Sequence, residues 1–465
     1  MTRSTTTTLQ LTKTRQQTTM KIAFIHPDLG IGGAERLIVD AAVGLQTRGH
    51  DITVLTSHCD KSHCFDEVAD GTLKVEVLGD SLFPTNIGGR FTIVCAILRQ
   101  LHLVWLLMAS GEAKKYDLYI IDLLSFCVPI LRHFVPGRIL FYCHFPDQLL
   151  TERKSLLKKL YRIPFDSIEQ WALSVSDVIV VNSKFTQSVF LKTFPTMNRV
   201  PDVIYPCVDT VNEKKERDEE MKSALEDNQV VSSINRFERK KNIELAIIAF
   251  AECNSRESAK LIISGGYDPR VTENVEYHKE LESKATSLGL NHVTLFSRDK
   301  FIVPENTHVI FMPSISSIRK QTLLELSSLL LYTPENEHFG IVPLEAMLAG
   351  TPVLATNTGG PLETISENET GWNRPSDSSE WAKGIDKALH LKAEEKKRIS
   401  VNGVERVKQL FSENNMGNEF ELAVKKALSG KRQVDKLASI ISWCIALGLT
   451  LAVVAILIVV RSVIG

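Results

Sequence analysis

The strongest structural signal of the chain is KIAFIHPDLGIGGAERLIVDAAVGL, residues 21–45. The apolar run at residues 21–25 predicts a buried strand, and the glycines from Gly30 to Gly33 predict a turn. From Ala34 onward, apolar residues recur on one face of a predicted helix. A strand, a glycine turn and a helix in this order begin a βαβ unit, so we expect an α/β fold with a parallel sheet.

The alternation of strand and helix patterns continues along the chain. Further buried strands are predicted at residues 52–55, 118–121, 139–142, 178–181, 230–234, 259–263, 293–296, 329–332 and 352–355. Residues 206–230 interrupt this rhythm and are dense in Glu, Asp and Lys, which is typical of a solvated linker. We therefore expect two α/β domains, at 20–205 and 231–425, that share a ligand cleft at the carboxyl ends of their strands.

The composition excludes several classes of protein. The 465 residues are 44% hydrophobic and 23% charged, which excludes a disordered chain. The 54 basic and 55 acidic residues leave a net charge of −1, so no nucleic-acid partner is expected. The eight cysteines are scattered and do not form a disulfide framework, which favours a reducing compartment.

The two ends of the chain differ from its middle. Residues 1–19 are rich in threonine and contain no acid, and they are predicted to be a disordered extension. Residues 437–460 contain no charge, and as a helix they would span roughly 36 Å, enough for a hydrocarbon core of about 30 Å. Basic residues are concentrated before this predicted transmembrane helix, so the body of the protein is expected in the cytosol.

The glycine loop after the first strand is a candidate ligand site. Gly32 and Gly33 let the backbone approach a phosphate or a sugar, and a helix N-terminus follows them. Glu35 stands where a dinucleotide-binding motif requires its third glycine, and Ser57 and His58 stand where an acid would hold a ribose hydroxyl. The loop therefore argues against NAD or FAD.

A basic loop, NRFERKKN at residues 235–242, follows the first strand of the second domain. Arg236 can hold two phosphate oxygens at once, and Lys241 adds a point charge. A solvated basic loop without a ligand remains the alternative.

A third candidate segment is PENEHFGIVPLEA, residues 334–346. Glu337 and Glu345 are eight residues apart, and a helix predicted to start near Gly340 places Glu345 in its second turn. Carboxylates at these positions can hold sugar hydroxyls while the amides of the helix N-terminus hold a diphosphate.

Together these motifs resemble glycosyltransferase family 4, whose members have the GT-B fold of two facing Rossmann-like domains. The resemblance covers residues 20–425. It implies that Arg236 and Lys241 hold the donor diphosphate, with Glu337 near the transferred sugar and Glu345 on the ribose. The residues expected to contact the donor are eight in all: Gly32, Gly33, Arg236, Lys241, His338, Phe339, Gly340 and Glu345.

Finer similarities narrow the resemblance to the mannosyltransferases of asparagine-linked glycosylation. They lie in GGAER (residues 32–36), YCHFPD (142–147), NRF and RKKN within 235–242, and TPENEHFG (333–340). The resemblance implies retaining transfer of mannose from GDP-mannose to a dolichol-diphosphate-linked oligosaccharide, forming alpha-1,3 and alpha-1,6 linkages. It gives His144 and Glu337 the role of positioning the sugar.

The same resemblance implies a location and a set of partners. The expected location is the endoplasmic reticulum membrane, with both catalytic domains cytosolic and other mannosyltransferases of the pathway as possible neighbours. The family lacks the D-x-D metal motif of the other main transferase fold, and no suitable one occurs in this sequence, so neither a metal nor a cofactor is expected.

Two segments are candidates for contact with the membrane or with the acceptor. Residues 151–162 combine leucines with a basic set comprising Arg153, Lys154, Lys158 and Lys159, a pattern that suits an anionic leaflet or a lipid diphosphate, or an ordinary surface helix. Residues 91–109 are apolar but contain Arg99, Gln100 and His102. That interruption disfavours a membrane span and leaves either an interfacial segment or a core helix.

Three functional alternatives remain open at this point. The chain could be an alpha-1,2-mannosyltransferase of the same pathway, or a family-4 transferase that uses a UDP-sugar. It could also be a catalytically inactive, membrane-anchored scaffold, although the presence of Arg236, Lys241, Glu337 and Glu345 argues against that.

Overall fold

The computed structural model of the protein describes residues 18–89, 91–150, 156–210 and 216–432. The predicted transmembrane helix at 437–460 and nearly all of the predicted N-terminal extension lie outside these residues, as do Arg153 and Lys154. Lys158 and Lys159 fall within a described helix, but their side chains are outside the described set.

The first domain is built on a sheet of seven parallel strands. Their bounds are β1 Lys21–His26, β2 Asp51–Thr56, β3 Lys74–Val77, β4 Leu118–Asp122, β5 Arg138–Cys143, β6 Val178–Val181 and β7 Asp202–Val203. The strand order is β3-β2-β1-β4-β5-β6-β7, and each neighbouring pair is parallel. The order changes direction between β1 and β4, which is where open α/β sheets bind their ligands.

Helices cover both faces of this sheet. They are α1 Gly33–Gln46, α2 Asp66–Ala69, α3 Thr92–Ala109, α4 Val128–Phe134, α5 Asp147–Leu150, α6 Leu156–Ser174 and α7 Lys184–Thr193. Leu37, Ile38, Ala41 and Leu45 of α1 are buried against one face, as their helical spacing predicts. The other face packs against α3 and α4.

The second domain repeats this architecture. Its strands are β8 Gln229–Ile234, β9 Ala259–Gly265, β10 His292–Thr294, β11 Val309–Pro313, β12 Ser327–Tyr332, β13 Val353–Thr356 and β14 Gly371–Arg374. The strand order is β10-β11-β9-β8-β12-β13-β14, again with parallel pairs. The change of direction lies between β8 and β12. Two parallel-sheet α/β domains confirm the predicted fold class.

The remaining helices belong to the second half of the chain. They are α8 Glu219–Leu225, α9 Ile243–Glu252, α10 Thr272–Ser287, α11 Ser317–Leu326, α12 Val342–Leu348, α13 Pro361–Thr364, α14 Ser378–Leu389, α15 Ala393–Leu410 and α16 Glu413–Ser429. One of them, α8, lies inside the segment 206–230 that was predicted to be linker. Met221 and Leu225, four residues apart, put two apolar side chains on one face of α8 and are buried in the second core.

The last described helix returns to the first domain. On α16, Phe420 is fully buried and its ring stacks on Tyr142 of β5 with centroids 5.8 Å apart. Glu421 Oε2 lies 2.7 Å from His50 Nε2 at the start of β2. By packing, α16 therefore belongs with the first sheet, although the sequence assigned residues up to 425 to the second domain.

The helix α3 resolves one of the alternatives that the sequence left open. Within the described residues it alone has the length and apolar composition of a membrane span, a property that buried core helices share. Leu103, Val104 and Leu107 are buried in the first domain. Two of the polar residues that interrupt it donate a hydrogen bond into the domain, Arg99 to the Ser57 carbonyl at 2.8 Å and Gln100 to the Leu124 carbonyl at 2.8 Å. These are the contacts of a core helix.

Candidate functional site

The two sheets bring their candidate residues to the strand ends at which the strand order changes direction. In the first domain His26 ends β1, Asp122 ends β4 and His144 follows β5. In the second domain the basic loop follows β8, and the segment that carries Glu337 follows β12. Parallel strands end at the same edge of a sheet, so residues far apart in sequence meet there.

The structure brings together Lys241 and Glu337, two of the residues that the resemblance assigned to the donor. The Lys241 ammonium pairs with the Glu337 carboxylate, and both side chains are largely buried. Thr333, just after β12, donates its hydroxyl to the Lys241 carbonyl at 2.7 Å and so fixes the turn that carries this lysine. The pair joins the two strands that flank the second switch point.

The other three cations of the basic loop, Arg236, Arg239 and Lys240, are exposed. Arg236 is exposed, and its guanidinium lies 3.0 Å from the Glu238 carboxylate. Lys240 also reaches Glu238, and Arg239 pairs with Glu280 at 2.6 Å on the surface. Lys241 is thus directed inward, whereas Arg239 and Lys240 are directed toward solvent, as in the alternative of a solvated loop, and the phosphate site stays a prediction.

The helix after Gly340 starts later than predicted. Gly340 has φ +88, a conformation that favours glycine, and a side chain there would lie 3.0 Å from the Tyr332 ring. Helix α12 begins at Val342, so Glu345 lies in its first turn and not in its second. Pro343 also removes one N–H from the helix N-terminus, which weakens the predicted diphosphate contact there.

Among the described residues, only one of the two carboxylate oxygens of Glu345 has a hydrogen-bond partner. Its Oε1 accepts from Lys320 Nζ of α11 at 2.7 Å. Its Oε2 is buried and has no hydrogen-bond partner among the described residues, so it can accept a ligand hydroxyl. Lys320 escaped the sequence-based prediction because it lies 25 residues away on another helix.

His338 and Phe339 have different surroundings. The His338 ring stacks on Phe145 of the first domain, with centroids 3.8 Å apart and ring planes 7° apart. Burial and the nearby Lys241 together lower the pKa of His338 to about 4, although Glu337 acts in the opposite direction. The His338 ring is therefore neutral at pH 7. Phe339 is instead a core residue that packs against Tyr205 and Phe411, so its side chain does not reach a donor as predicted.

Glycine is needed at position 32 for a steric reason. Its backbone is extended, at φ −165, so no unusual conformation requires glycine. A side chain on Gly32 would instead lie 2.2 Å from the Glu35 carboxylate, which folds back over it. Gly33 is exposed and its position is open. The loop is therefore shaped in part by Glu35, which the sequence treated only as the residue that breaks a dinucleotide motif.

His144 lies at the cleft and contacts a residue that the sequence-based prediction missed. Its Nε2 is 2.9 Å from Asp122 Oδ2, and its ring is partly exposed. Asp122 is fully buried and also contacts His26 Nδ1 at 2.8 Å. The signal available in the sequence was position alone, since His26 and Asp122 directly follow two predicted strands and end the observed ones.

Contacts between the domains close the cleft beside these residues. Ser183, the N-cap of α7, donates its hydroxyl to the His338 carbonyl at 2.6 Å. The Glu363 carboxylate of α13 accepts from the amides of Lys184 and Phe185 at 2.8 and 2.7 Å. The first amides of a helix have no partner within it, so a carboxylate from the other domain satisfies the N-terminus of α7.

A cavity of about 770 Å³ lies between the domains next to Glu345. Its walls come from α1 and α2 on one side and from α11, α12 and α15 on the other. Within the described ranges, no group of three or more His, Cys, Asp or Glu side chains is arranged to hold a metal ion.

Replacing Glu363 tests whether it closes the cleft. Hydrogen bonds to charged groups contribute about 1.5–3 kcal/mol, so we expect the Lys184 and Phe185 amides of Glu363→Ala to exchange hydrogen roughly tenfold faster or more. Glu367→Ala is the matched control, because Glu367 accepts the Asn373 amide within its own domain. Unchanged exchange at Lys184 and Phe185 in Glu363→Ala would contradict this role.

Two family models match the chain. The model described as Glycosyltransferase Family 4 matches residues 31–212, and the one described as Glycosyl transferases group 1 matches residues 214–301 and 303–406. Together they span both α/β domains.

Two solved structures share the fold of this chain. Sucrose-phosphate synthase from Thermosynechococcus elongatus superposes with a TM-score of 0.66 at 19% identity, over 88% of this chain and 98% of that chain. HepE of Anabaena, in complex with UDP and glucose, gives a TM-score of 0.64 at 22% identity, over 87% of this chain and 99% of that chain. At these identities the likeness concerns the GT-B fold alone.

Three similar relatives are fungal proteins named alpha-1,3/1,6-mannosyltransferase ALG2. The Kluyveromyces lactis protein is 54% identical over 86% of this chain and 84% of its own length. The Saccharomyces cerevisiae protein is 51% identical over 88% of this chain and 85% of its own length. The Candida albicans protein is 49% identical over 88% of this chain and 99% of its own length. The family predicted from the sequence is thereby confirmed, and the chain belongs to the ALG2 alpha-1,3/1,6-mannosyltransferases of glycosyltransferase family 4.

Proposed function

We propose that this protein is a retaining mannosyltransferase that uses GDP-mannose to extend a dolichol-diphosphate-linked mannosyl-chitobiose core with alpha-1,3 and alpha-1,6 linkages. The observation that carries the proposal is the convergence of Lys241 and Glu337 at the switch point of the second sheet. Near-50% identity to relatives named for this activity supports the same reaction.

The donor binds to the second domain in this proposal. Arg236 is exposed and its long side chain can move from Glu238 to a diphosphate. Lys241 exchanges Glu337 for the phosphate oxygens, since an ammonium interacts with either anion. Glu345 accepts from a ribose hydroxyl through the oxygen that has no partner in the described structure.

The chemistry depends on stabilising the leaving group. The bond between mannose C1 and the diphosphate oxygen breaks, and a bond from the acceptor hydroxyl to C1 forms on the same face of the sugar. Negative charge grows on the departing GDP, and Lys241 and Arg236 supply two cations at that position. The departing phosphate oxygen takes the acceptor proton, so no protein nucleophile is required.

Glu337 and His144 position the mannose between the domains. Glu337 becomes free to accept sugar hydroxyls once Lys241 turns to the diphosphate. His144 approaches from the first domain, and the stacked pair of Phe145 and His338 lies beside it and joins the two walls of the cleft. Water is thereby excluded from one side of the reacting centre.

The acceptor is membrane-borne, so we propose that the protein acts at the cytosolic face of the endoplasmic reticulum. The uncharged run at 437–460 supplies the anchor, and the basic segment at 151–162 faces the lipid diphosphate. Other mannosyltransferases of the pathway are proposed neighbours there. No metal or cofactor takes part in the proposed reaction.

Lys241→Ala tests the donor site. Losing a cation at a developing negative charge costs about 100- to 1,000-fold in rate, so we expect kcat/KM for transfer to a lipid-linked trisaccharide to fall by about that factor. The measurement is mannose transfer from GDP-mannose by microsomes that carry the variant.

The matched control is Lys240→Ala, which removes the same charge from the neighbouring, exposed lysine. Its activity should stay within about threefold of wild type, because Lys240 is exposed and lies outside the proposed donor contacts. Full activity in both Lys241→Ala and Glu345→Ala would overturn the assignment of the donor site. Turnover of a UDP-sugar in place of GDP-mannose would overturn the identity of the donor.

Deletion of residues 437–465 tests the anchor. A span of this length in hydrocarbon makes binding effectively irreversible, so its loss should release the protein from membranes on alkaline carbonate extraction. Tight binding that persists after the deletion would contradict the proposal and transfer the anchoring role to the basic segment at 151–162.

A further inference from the structure

Four side chains from four segments form a chain of contacts at the switch point of the first sheet. His144 Nε2 lies 2.9 Å from Asp122 Oδ2, and Asp122 Oδ1 lies 2.8 Å from His26 Nδ1. His26 Nε2 in turn lies 3.8 Å from Glu35 Oε1 beside the glycine loop. Only the two outer members, His144 and Glu35, are partly exposed to the cleft.

Asp122 is completely buried, which an isolated carboxylate could not tolerate in its ionised form. Burial tends to raise the pKa of Asp122, but His26 and His144 outweigh this effect and hold the pKa below its ordinary value. Both oxygens of the ionised carboxylate can only accept, so each imidazole must donate to it. Asp122 therefore requires a proton on the Nε2 of His144.

His26 is the counter-charge that this arrangement needs. Its ring is fully buried, and burial alone would lower its pKa, yet Asp122 and Glu35 raise the pKa to about 10. An imidazolium between two carboxylates compensates a charge that the interior would otherwise exclude. Glu35 reaches this position because Gly32 has no side chain in its way.

We propose that Asp122, paired with His26, is a positioning residue that fixes His144 in the Nε2–H tautomer and presents its Nδ1 to the cleft as an acceptor for a sugar hydroxyl. The role rests on the mannosyl transfer proposed above. With Nε2 donating to Asp122, Nδ1 is the remaining ring nitrogen, and the ring is held from behind by Tyr142 at 5.0 Å between centroids.

Asp122→Asn keeps the size of the side chain but offers one acceptor oxygen to two imidazoles, and its amide can donate to His144 Nε2. A tautomer error of this kind costs about 10⁴ in kcat in the Ser-His-Asp triad. We expect kcat of the purified full-length protein to fall by about 100-fold or more, with KM for GDP-mannose within about threefold, because the proposed diphosphate and ribose contacts of Lys241, Arg236 and Glu345 lie in the other domain.

Glu421→Gln is the matched control. It neutralises another buried carboxylate that contacts a histidine, 2.7 Å from His50 Nε2, at the opposite end of the first sheet from the cleft. We expect this variant to lose stability but to keep kcat within about threefold of wild type. A general effect of removing a buried charge would instead lower kcat in both variants.

A double-mutant cycle separates positioning from folding. If Asp122 acts through His144, Asp122→Asn should lower kcat by less than about threefold in a His144→Ala background. An equal loss of activity in both backgrounds would overturn the proposal.

The tautomer itself gives a readout that does not depend on turnover. In ¹⁵N spectra of the imidazole groups, wild-type His144 should carry its proton on Nε2, and Asp122→Asn should move it to Nδ1. A wild-type proton on Nδ1 would overturn the proposal even in an active enzyme. A correct tautomer in a protein that does not transfer mannose would overturn the proposed function alone.

Discussion

The parallel direction of every strand pair in both sheets is the constraint on which the site depends. Parallel strands require crossovers, and their carboxyl ends then share one edge. At this edge the two switch points collect His26, Asp122 and His144 in one domain and Lys241 and Glu337 in the other. Glu363 then caps α7 across the cleft and keeps the two edges together.

The charges at the two switch points are organised in the same way. In each domain a basic group and a carboxylate neutralise one another, as His26 does for Asp122 and Lys241 for Glu337. The two pairs differ in accessibility, because the first is fully buried and the second is partly open. A buried pair holds a geometry, whereas an open pair can exchange partners when an anionic donor arrives.

Much of the fold could be predicted from the sequence because its strands are buried on both faces. Apolar runs such as residues 118–121 and 178–181 need no alternation to be recognised. Four strands were not predicted. The strands β3, β7 and β14 are brief or mixed segments at sheet edges, which carry weak patterns, whereas β11 is a fully buried apolar run that the prediction missed. The linker prediction failed at α8, where charged residues on one face concealed Met221 and Leu225 on the other.

The site could be predicted only where a motif is local. Lys241 and Glu337 lie in loops whose sequence motifs are recognisable, and they pair because β8 and β12, which these loops follow, are neighbours in the sheet. Lys320, Asp122 and Glu363 escaped prediction because their partners are 25, 22 and about 180 residues away, so only the tertiary structure brings them together. Phe339 was assigned to the donor from its motif, but its apolar side chain is buried against Tyr205 and Phe411.

A structure of the full-length protein with bound GDP tests the central claim most directly, namely that the second switch point holds the donor. The account predicts a diphosphate oxygen within about 3.2 Å of Lys241 Nζ and a ribose hydroxyl on Glu345 Oε2, with Glu337 released from Lys241. GDP bound elsewhere, for example deeper in the neighbouring cavity against Lys408 with the Lys241–Glu337 pair intact, would contradict it.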